Sequence, residues 1–297
     1  MQKITPFLWF NDQAEEAAHF YASIFKNGKV GPIVRYDDAS AHASGRLEGS
    51  VMTVTFELCG LHFAALNGGP IFQFTPALSF FVNCETEEEV DKLWNKLSDG
   101  GTVMMELQRY PWSEKYGWTA DRYGVSWQIS LAKTPQSITP SFLFTGKLYT
   151  KAEEAMNFYL SLFKDSKVNM ISRNGPENKT EKEGTIQYAS FTLAGQNFNI
   201  MEGSVGDNAY TPAVSLVVNC DTQEEIDHFW NALSSMKEAE QCGWCVDRYG
   251  VSWQIIPATQ QEMLTGDPDA AHRVMKEVLK MKKIDLATLR KAYQSAD

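Results

Sequence analysis

The chain has 297 residues, 43% of them hydrophobic and 12% aromatic, enough to bury two ordinary cores, so two domains of about 130 residues are expected. A formal net charge of -10 argues against a nucleic-acid backbone as partner, because such binding relies on clustered Lys and Arg, and is compatible with a basic or neutral ligand. Met1 to Pro6 does not resemble a secretory leader, and no uncharged apolar run reaches the roughly 18 residues of a spanning helix, so a cytoplasmic protein without a membrane partner is expected.

In chain order, Ile4 to Phe10 is a strand-like apolar run. Asn11-Asp12 offers an N-cap to a helix over Ala14 to Phe25, in which Ala17, Phe20, Tyr21, Ile24 and Phe25 recur at helical spacing. Strands are predicted over Lys29 to Tyr36, Ser50 to Leu58 and Leu61 to Leu66, the last two joined by a tight turn at Cys59-Gly60. The polar, Ala/Ser-rich segment Asp37 to Glu48 reads as a mobile loop. A second strand-helix-three-strand unit follows: a strand from Ala77 to Val82, a helix capped by Thr86 and running to about Leu97, a strand from Thr102 to Glu106, a loop from Leu107 to Tyr116, and a hairpin from Gly117 to Leu131.

This order then repeats. Gly117-Trp-Thr-Ala-Asp-Arg-Tyr-Gly-Val-Ser-Trp-Gln-Ile129 returns as Gly243-Trp-Cys-Val-Asp-Arg-Tyr-Gly-Val-Ser-Trp-Gln-Ile255, identical at 11 of 13 positions. Ile138-Thr139-Pro140 echoes Ile4-Thr5-Pro6, and Ala152 to Tyr159 echoes Ala14 to Tyr21. Three segments are therefore assigned: 1–133, 134–258 and a tail, 259–297, without a counterpart in the first copy. Asp267-Pro268 begins a tail helix through about Met281, and Ile284 to Tyr293 forms another; both are expected to dock on the body.

Five cysteines are present. Cys242-Gly-Trp-Cys245 has the C-x-x-C spacing, but it runs into a strand instead of opening a helix and has no second Cys or His pair, so neither a redox nor a zinc site is expected. The five histidines are scattered, with no H-x-H or H-x-x-x-H spacing; His62, with Glu57, is the one that merits inspection.

Four strand-helix-three-strand units in tandem, with Phe-Tyr near the end of each first helix and Asp-Arg-Tyr-Gly-Val before each last strand, resemble the vicinal oxygen chelate superfamily of glyoxalase I, extradiol dioxygenases and bleomycin-resistance proteins. Within it the chain is similar to the PhnB-like group, often labelled 3-demethylubiquinone-9 3-methyltransferase-like. The motifs Ile-Thr-Pro, Ala-Glu-Glu-Ala-x-x-Phe-Tyr, Gly-Trp-x-x-Asp-Arg-Tyr-Gly-Val-Ser-Trp-Gln-Ile and Met281-Lys-Lys-Ile-Asp285 carry the resemblance. It implies an α+β fold of two tandem glyoxalase-like modules, each of paired βαβββ units with a cupped mixed sheet, followed by a C-terminal helical tail. Duplication would build an intrachain pseudo-dimer, and a further homodimer is allowed.

Metal-using members carry His, Gln or Glu at positions that fall near Thr5, Ala77 and Gln128 in the first copy and Thr139, Ala213 and Gln254 in the second. Thr and Ala offer no imidazole or carboxylate and a lone amide is a weak ligand, so no metal and no cofactor are expected. Methyl transfer is unsupported by the residues, because Gly68-Gly69-Pro70 follows a strand but does not open a helix as a methyl-donor site would require. The resemblance implies a first cup lined by Thr5, Phe7, Trp9, Asn67, Ala77, Ser79, Phe81, Ser126 and Gln128, with Trp112 in a lid. The second cup would be lined by Thr139, Ser141, Glu202, Ser215 and Gln254. Aromatic walls with a few amides and hydroxyls suit a small hydrophobic or planar molecule. The expected function is metal-independent binding or sequestration of such a molecule. The alternative is a divalent-metal-dependent lyase or dioxygenase with an atypical site.

Overall fold

A computed structural model describes residues 2–295. In the first repeat the elements are β1 (Ile4–Phe10), α1 (Ala14–Ile24), β2 (Lys29–Arg35), α2 (Asp38–Ser44), β3 (Val51–Leu58) and β4 (Leu61–Asn67), then β5 (Leu78–Cys84), α3 (Glu87–Ser98), β6 (Thr102–Tyr110), β7 (Ser113–Ala120) and β8 (Ser126–Leu131). The second repeat gives β9 (Ser137–Phe144), α4 (Ala152–Leu162), β10 (Lys167–Arg173), β11 (Ile186–Leu193), β12 (Gln196–Glu202), β13 (Val214–Cys220), α5 (Gln223–Leu233), β14 (Trp244–Val246) and β15 (Ser252–Pro257). The tail forms α6 (Gln260–Thr265), α7 (Pro268–Lys280) and α8 (Leu286–Gln294).

The strands form two mixed sheets, ordered β14-β15-β13-β1-β4-β3-β2 and β10-β11-β12-β9-β5-β8-β7-β6. Each therefore joins a unit of one repeat to a unit of the other, through antiparallel seams at β1 with β13 and at β5 with β9. The two units of one repeat do not share a sheet, which corrects the grouping of residues expected from the repeat alone. Connection length explains the exchange. The five residues 132–136 can only step across one strand, so β8 and β9 flank β5 in one sheet, whereas residues 68–77 and 203–213 are long enough to carry the chain to the other sheet.

Within each strand the pleat separates two faces. On β1, Ile4, Leu8 and Phe10 join the main core beneath the helices, while Thr5, Phe7 and Trp9 point to the opposite face. The helix stripe Ala14, Ala17, Ala18 and Tyr21 is fully buried in that core. The doubled hairpin motif is the node that ties the layers. The Asp121 carboxylate accepts hydrogen bonds from Tyr21 Oη, Trp127 Nε1 and the amides of Tyr123 and Val125 at 2.7 to 3.0 Å. Asp247 does the same with Tyr159, Trp253, Tyr249 and Val251 at 2.8 to 3.0 Å. Arg122 and Arg248 stack on Phe20 and Phe158 at 4.2 and 4.3 Å.

Three local expectations are revised. Asp37 to Glu48 is not a loop throughout: Asp37 caps α2 in a capping box and Gly45 closes it in the left-handed conformation. Leu107 to Tyr116 is mostly strand, because β6 and β7 extend the final hairpin outward. Asn11-Asp12 does not cap α1; the first free amide, of Ala14, is taken by Asn67 Oδ1 at 2.8 Å.

The tail docks at both edges of the seven-stranded sheet. Near the β2 edge, His272 on α7 meets Asp37 at 2.6 Å, and Leu66, Leu264 and Leu279 pack on a cluster containing Val34, Met52 and Met275. Near the β14 edge, the amides of Cys242 and Gly243 donate to Met281 O and Lys282 O, both at 2.7 Å. Seven flat strands would separate the edges by about 29 Å, and α7 is about 20 Å long, so the sheet curls to meet the tail. Leu66, on the face away from α1, packs on the cluster that contains Met275 of the tail.

Candidate functional site

Two faces lie away from the core helices. On the seven-stranded sheet the register aligns Phe7 with Ser215 and Ser252 across β1, β13 and β15, and Thr5 with Val217, Gln254 and Trp244 one row along. Above these rows stands an aromatic group. Phe7 and Trp244 meet edge to face at 5.6 Å, Trp9 and Trp244 at 5.9 Å, and Trp9 and Phe72 at 4.9 Å. Trp9 Nε1 donates to Gly69 O at 2.9 Å, and Gly68 permits the ring to lie there, since a Cβ on it would sit 2.1 Å from the indole. Gln254 Nε2 donates to Ser215 Oγ at 3.0 Å, and Ser252 Oγ, on a residue only 1% exposed, has no partner.

The eight-stranded face is more polar. Thr139, Phe81 and Gln128 share one row, and Ser141 lies beside Ser79. The Gln128 amide is engaged at both ends, accepting from Tyr116 Oη at 2.7 Å and donating to Ser79 Oγ at 2.8 Å. Burial pushes the Tyr116 hydroxyl pKa well up, so it remains the donor. Ser126 Oγ accepts from Trp118 Nε1 at 2.8 Å; in the other repeat the equivalent indole, Trp244, instead joins the Phe7 and Trp9 rings, which leaves Ser252 free. Tyr110 stacks on Trp112 at 5.0 Å, and both rings meet Tyr116. Trp112 is 60% exposed at the tip of the β6–β7 hairpin.

The residues expected to line the first cup are thus divided. Thr5, Phe7 and Trp9 are on one sheet, and Ser79, Phe81, Ser126 and Gln128 on the other, with Ala77 buried at the start of β5 and Trp112 on the hairpin. The second set divides in the same way, Thr139 and Ser141 on the eight-stranded sheet and Ser215 and Gln254 on the seven-stranded one. Asn67 and Glu202 face neither cup. Asn67 holds Ala14 N, while Glu202 takes the amides of Ala152 and Ile186 at 2.8 and 2.7 Å, because at the strand end both turn toward a helix N-terminus that lacks its own cap. Trp244, Ser252, Phe72 and Tyr116 were not anticipated as site residues; the alternation of the repeated hairpin, which sets Trp244 opposite Gln254, is the signal that could have found the first two.

The superfamily's ligand positions regroup as Thr5, Ala213 and Gln254 on one sheet and Thr139, Ala77 and Gln128 on the other, and neither set offers an imidazole or carboxylate. A divalent ion does not fit either. Among the described residues, the one cluster of three potential ligands is Asp37, Asp38 and His272, an ion-paired contact between α2 and α7 at 2.6 and 3.3 Å and not part of a sheet face. His62 and Glu57 form an exposed cross-strand pair 4.0 Å apart.

The model of the 3-demethylubiquinone-9 3-methyltransferase family matches residues 2–130 and again residues 136–256. The chain belongs to the 3-demethylubiquinone-9 3-methyltransferase family. Its two matches are the two repeats. A putative 3-demethylubiquinone-9 3-methyltransferase (PhnB protein) from Bacillus cereus is 46% identical over 44% of this chain and all of its own, with a TM-score of 0.41. A glyoxalase I mutant from Zea mays is 11% identical and covers 89% of this chain and 97% of its own at a TM-score of 0.53. A putative dioxygenase from Bacillus subtilis is 10% identical and covers 94% and 95% at 0.50. The last two likenesses give the fold alone: a member of the 3-demethylubiquinone-9 3-methyltransferase family here has the paired-unit architecture of glyoxalase I in one chain. No curated protein matches the chain.

Proposed function

We propose that the chain binds a small, planar, largely apolar molecule on the face of the seven-stranded sheet turned away from the core helices, without a metal ion. The observation that carries this is the edge-to-face group of Phe7, Trp9 and Trp244 standing over Ser215, Gln254 and the unpartnered hydroxyl of Ser252. Aromatic walls supply apolar area with little entropy to lose, and a buried hydroxyl with no partner is a group a ligand can satisfy at a gain. The eight-stranded face has an unpartnered buried hydroxyl of its own, on Ser141, and is the weaker candidate for other reasons: its equivalents of Phe7 and Trp9 are Ser141 and Leu143, and the Gln128 amide already has protein partners at both ends.

Metal independence is supported by the chemistry of Thr5, Ala213 and Gln254, none of which is a strong donor to a divalent ion. Methyl transfer, the activity in the family's name, finds no support in the chain's own residues: Gly68-Gly69-Pro70 leads from β4 into irregular backbone up to Pro76 and not into a helix.

The test is a thermal-shift screen of planar apolar compounds with tryptophan emission followed in parallel. A stabilising compound that also shifts the emission, both effects being lost in Trp9→Ala, is the expected result. Stoichiometric zinc, iron, manganese or nickel in protein purified without chelator would remove metal independence, and a panel without any stabiliser would remove binding on this face.

A further inference from the structure

Outside both sheet faces, a hollow of about 370 Å³ opens between α1 and α3, lined by Lys92, Lys96, Arg122 and Asp99 together with Phe20 and Ile24. Three cations against one carboxylate is an unusual local balance on a chain of net charge -10. Among the described residues, neither Lys92 nor Lys96 has an ion pair or side-chain hydrogen bond. Arg122 stacks on Phe20 at 4.2 Å and on Tyr123 at 5.2 Å, and the Tyr123 hydroxyl with the Glu16 and Asp99 carboxylates favours its charge, so a bound oxyanion would share the guanidinium with these groups.

The second repeat supplies an internal control. Phe158, Leu162 and Arg248 occupy the places of Phe20, Ile24 and Arg122, and Arg248 stacks on Phe158 just as closely. The two lysines, however, are replaced by His228 and Ala232. His228 Nε2 lies 3.1 Å from Leu162 O and bridges α5 to α4 across the equivalent place. The same scaffold is thus bridged by a histidine and less basic in one repeat, and carries two unpaired ammonium groups in the other.

We propose that the hollow between α1 and α3 binds a small phosphate-bearing anion, with Lys92, Lys96 and Arg122 holding the phosphate and the Phe20 and Ile24 side chains contacting an apolar substituent. Adjacent like charges at i and i+4 on α3 repel one another when nothing lies between them, and a dianion relieves this while making charge-assisted hydrogen bonds. An apolar substituent gains from the Phe20 ring, so an aryl phosphate binds more tightly than inorganic phosphate.

Isothermal titration of the full chain with inorganic phosphate and with phenyl phosphate, at ionic strength balanced with sodium chloride, tests this. The expected result is saturable binding of both, tighter for phenyl phosphate, and about tenfold weaker in Lys92→Ala/Lys96→Ala. Lys179→Ala/Lys182→Ala, which changes net charge equally at exposed positions elsewhere, should leave affinity unchanged. Equal binding by wild type and the Lys92/Lys96 variant, equal weakening by both double variants, or no saturation by either anion below about 10 mM would overturn the proposal. Inorganic phosphate binding as tightly as phenyl phosphate would overturn the role given to Phe20 and Ile24. None of these outcomes bears on the sheet face, because the two places share no residue.

Discussion

The phenol of Tyr21 donates a 2.7 Å hydrogen bond to the carboxylate of Asp121, and this buried contact joins a helix packed on one sheet to a hairpin belonging to the other. It repeats as Tyr159 with Asp247 at 2.8 Å. Burial pushes both tyrosine pKa values well up, so the phenols keep their protons and remain donors. Each repeat is thus held together through its core side, while its strand edges pair with the other repeat.

Removing the acceptor at this node should cost more than removing one donor. Asp121→Ala strands the Tyr21 phenol, the Trp127 indole and two backbone amides, and an expected loss of about 3–5 kcal/mol follows from unsatisfied buried groups. Tyr21→Phe leaves the carboxylate three donors and should cost about 1–2 kcal/mol. Urea unfolding of both variants measures the difference; equal losses would mean that the node is not the tie described.

Gly68→Ala tests the aromatic group directly. Its new methyl would meet the Trp9 indole at 2.1 Å, so the ring must leave its place beside Gly69 and Trp244. Near-ultraviolet circular dichroism should change in its tryptophan bands, with the signal of the other seven tryptophans kept, while the far-ultraviolet spectrum is retained. Any compound found to bind this face should bind at least tenfold more weakly, a loss of about 1.4 kcal/mol. Unchanged near-ultraviolet bands would rule out the packing.

Docking of the tail should depend on acid. Burial raises the Asp37 pKa, but hydrogen bonds from Ser40 and His272 together with the His272 charge outweigh it, and the net shift is downward. A carboxyl with a depressed folded pKa stabilises above its unfolded value of about 3.9 and loses that contribution as pH falls through the folded value. Hydrogen exchange in α7 is therefore expected to accelerate below about pH 4, and Asp37→Asn should flatten this dependence. An identical pH profile in the variant would show that the His272 contact does not hold the tail.

The thiols should be unreactive in the native chain. Burial pushes Cys59 up to about 11 and Cys84 and Cys220 up to about 12, and raises Cys242 and Cys245 of the C-x-x-C segment as well. Thiolate is the reactive form, so Ellman titration at pH 8 should be slow until denaturant is added. A fast-reacting pair at Cys242 and Cys245 would instead restore a redox reading of that segment.

Much of this molecule is legible along the chain. The repeated Asp-Arg-Tyr-Gly-Val-Ser-Trp motif and the Phe-Tyr of each first helix announce four equivalent units, and the periodicity in Ile4 to Phe10 or Glu87 to Leu97 names the element and its buried face, because side-chain spacing is fixed locally by backbone geometry. The α2 helix escaped such reading because its Ala and Ser residues carry little periodic signal, and the outer ends of β6 and β7 because the hairpin there buries few side chains.

By itself the sequence determined the units, their duplication and the helical tail, all of which depend on residue identity and short-range pattern. Only the tertiary structure decided which unit pairs with which. Strand partners are chosen by connection length and by edges far apart in the chain, so Thr5 and Phe7 face Gln254, Ser252 and Trp244 and not Gln128 and Ser79. The same long-range packing turns Asn67 and Glu202 into helix caps and leaves Ser252 without a partner beneath the tryptophans.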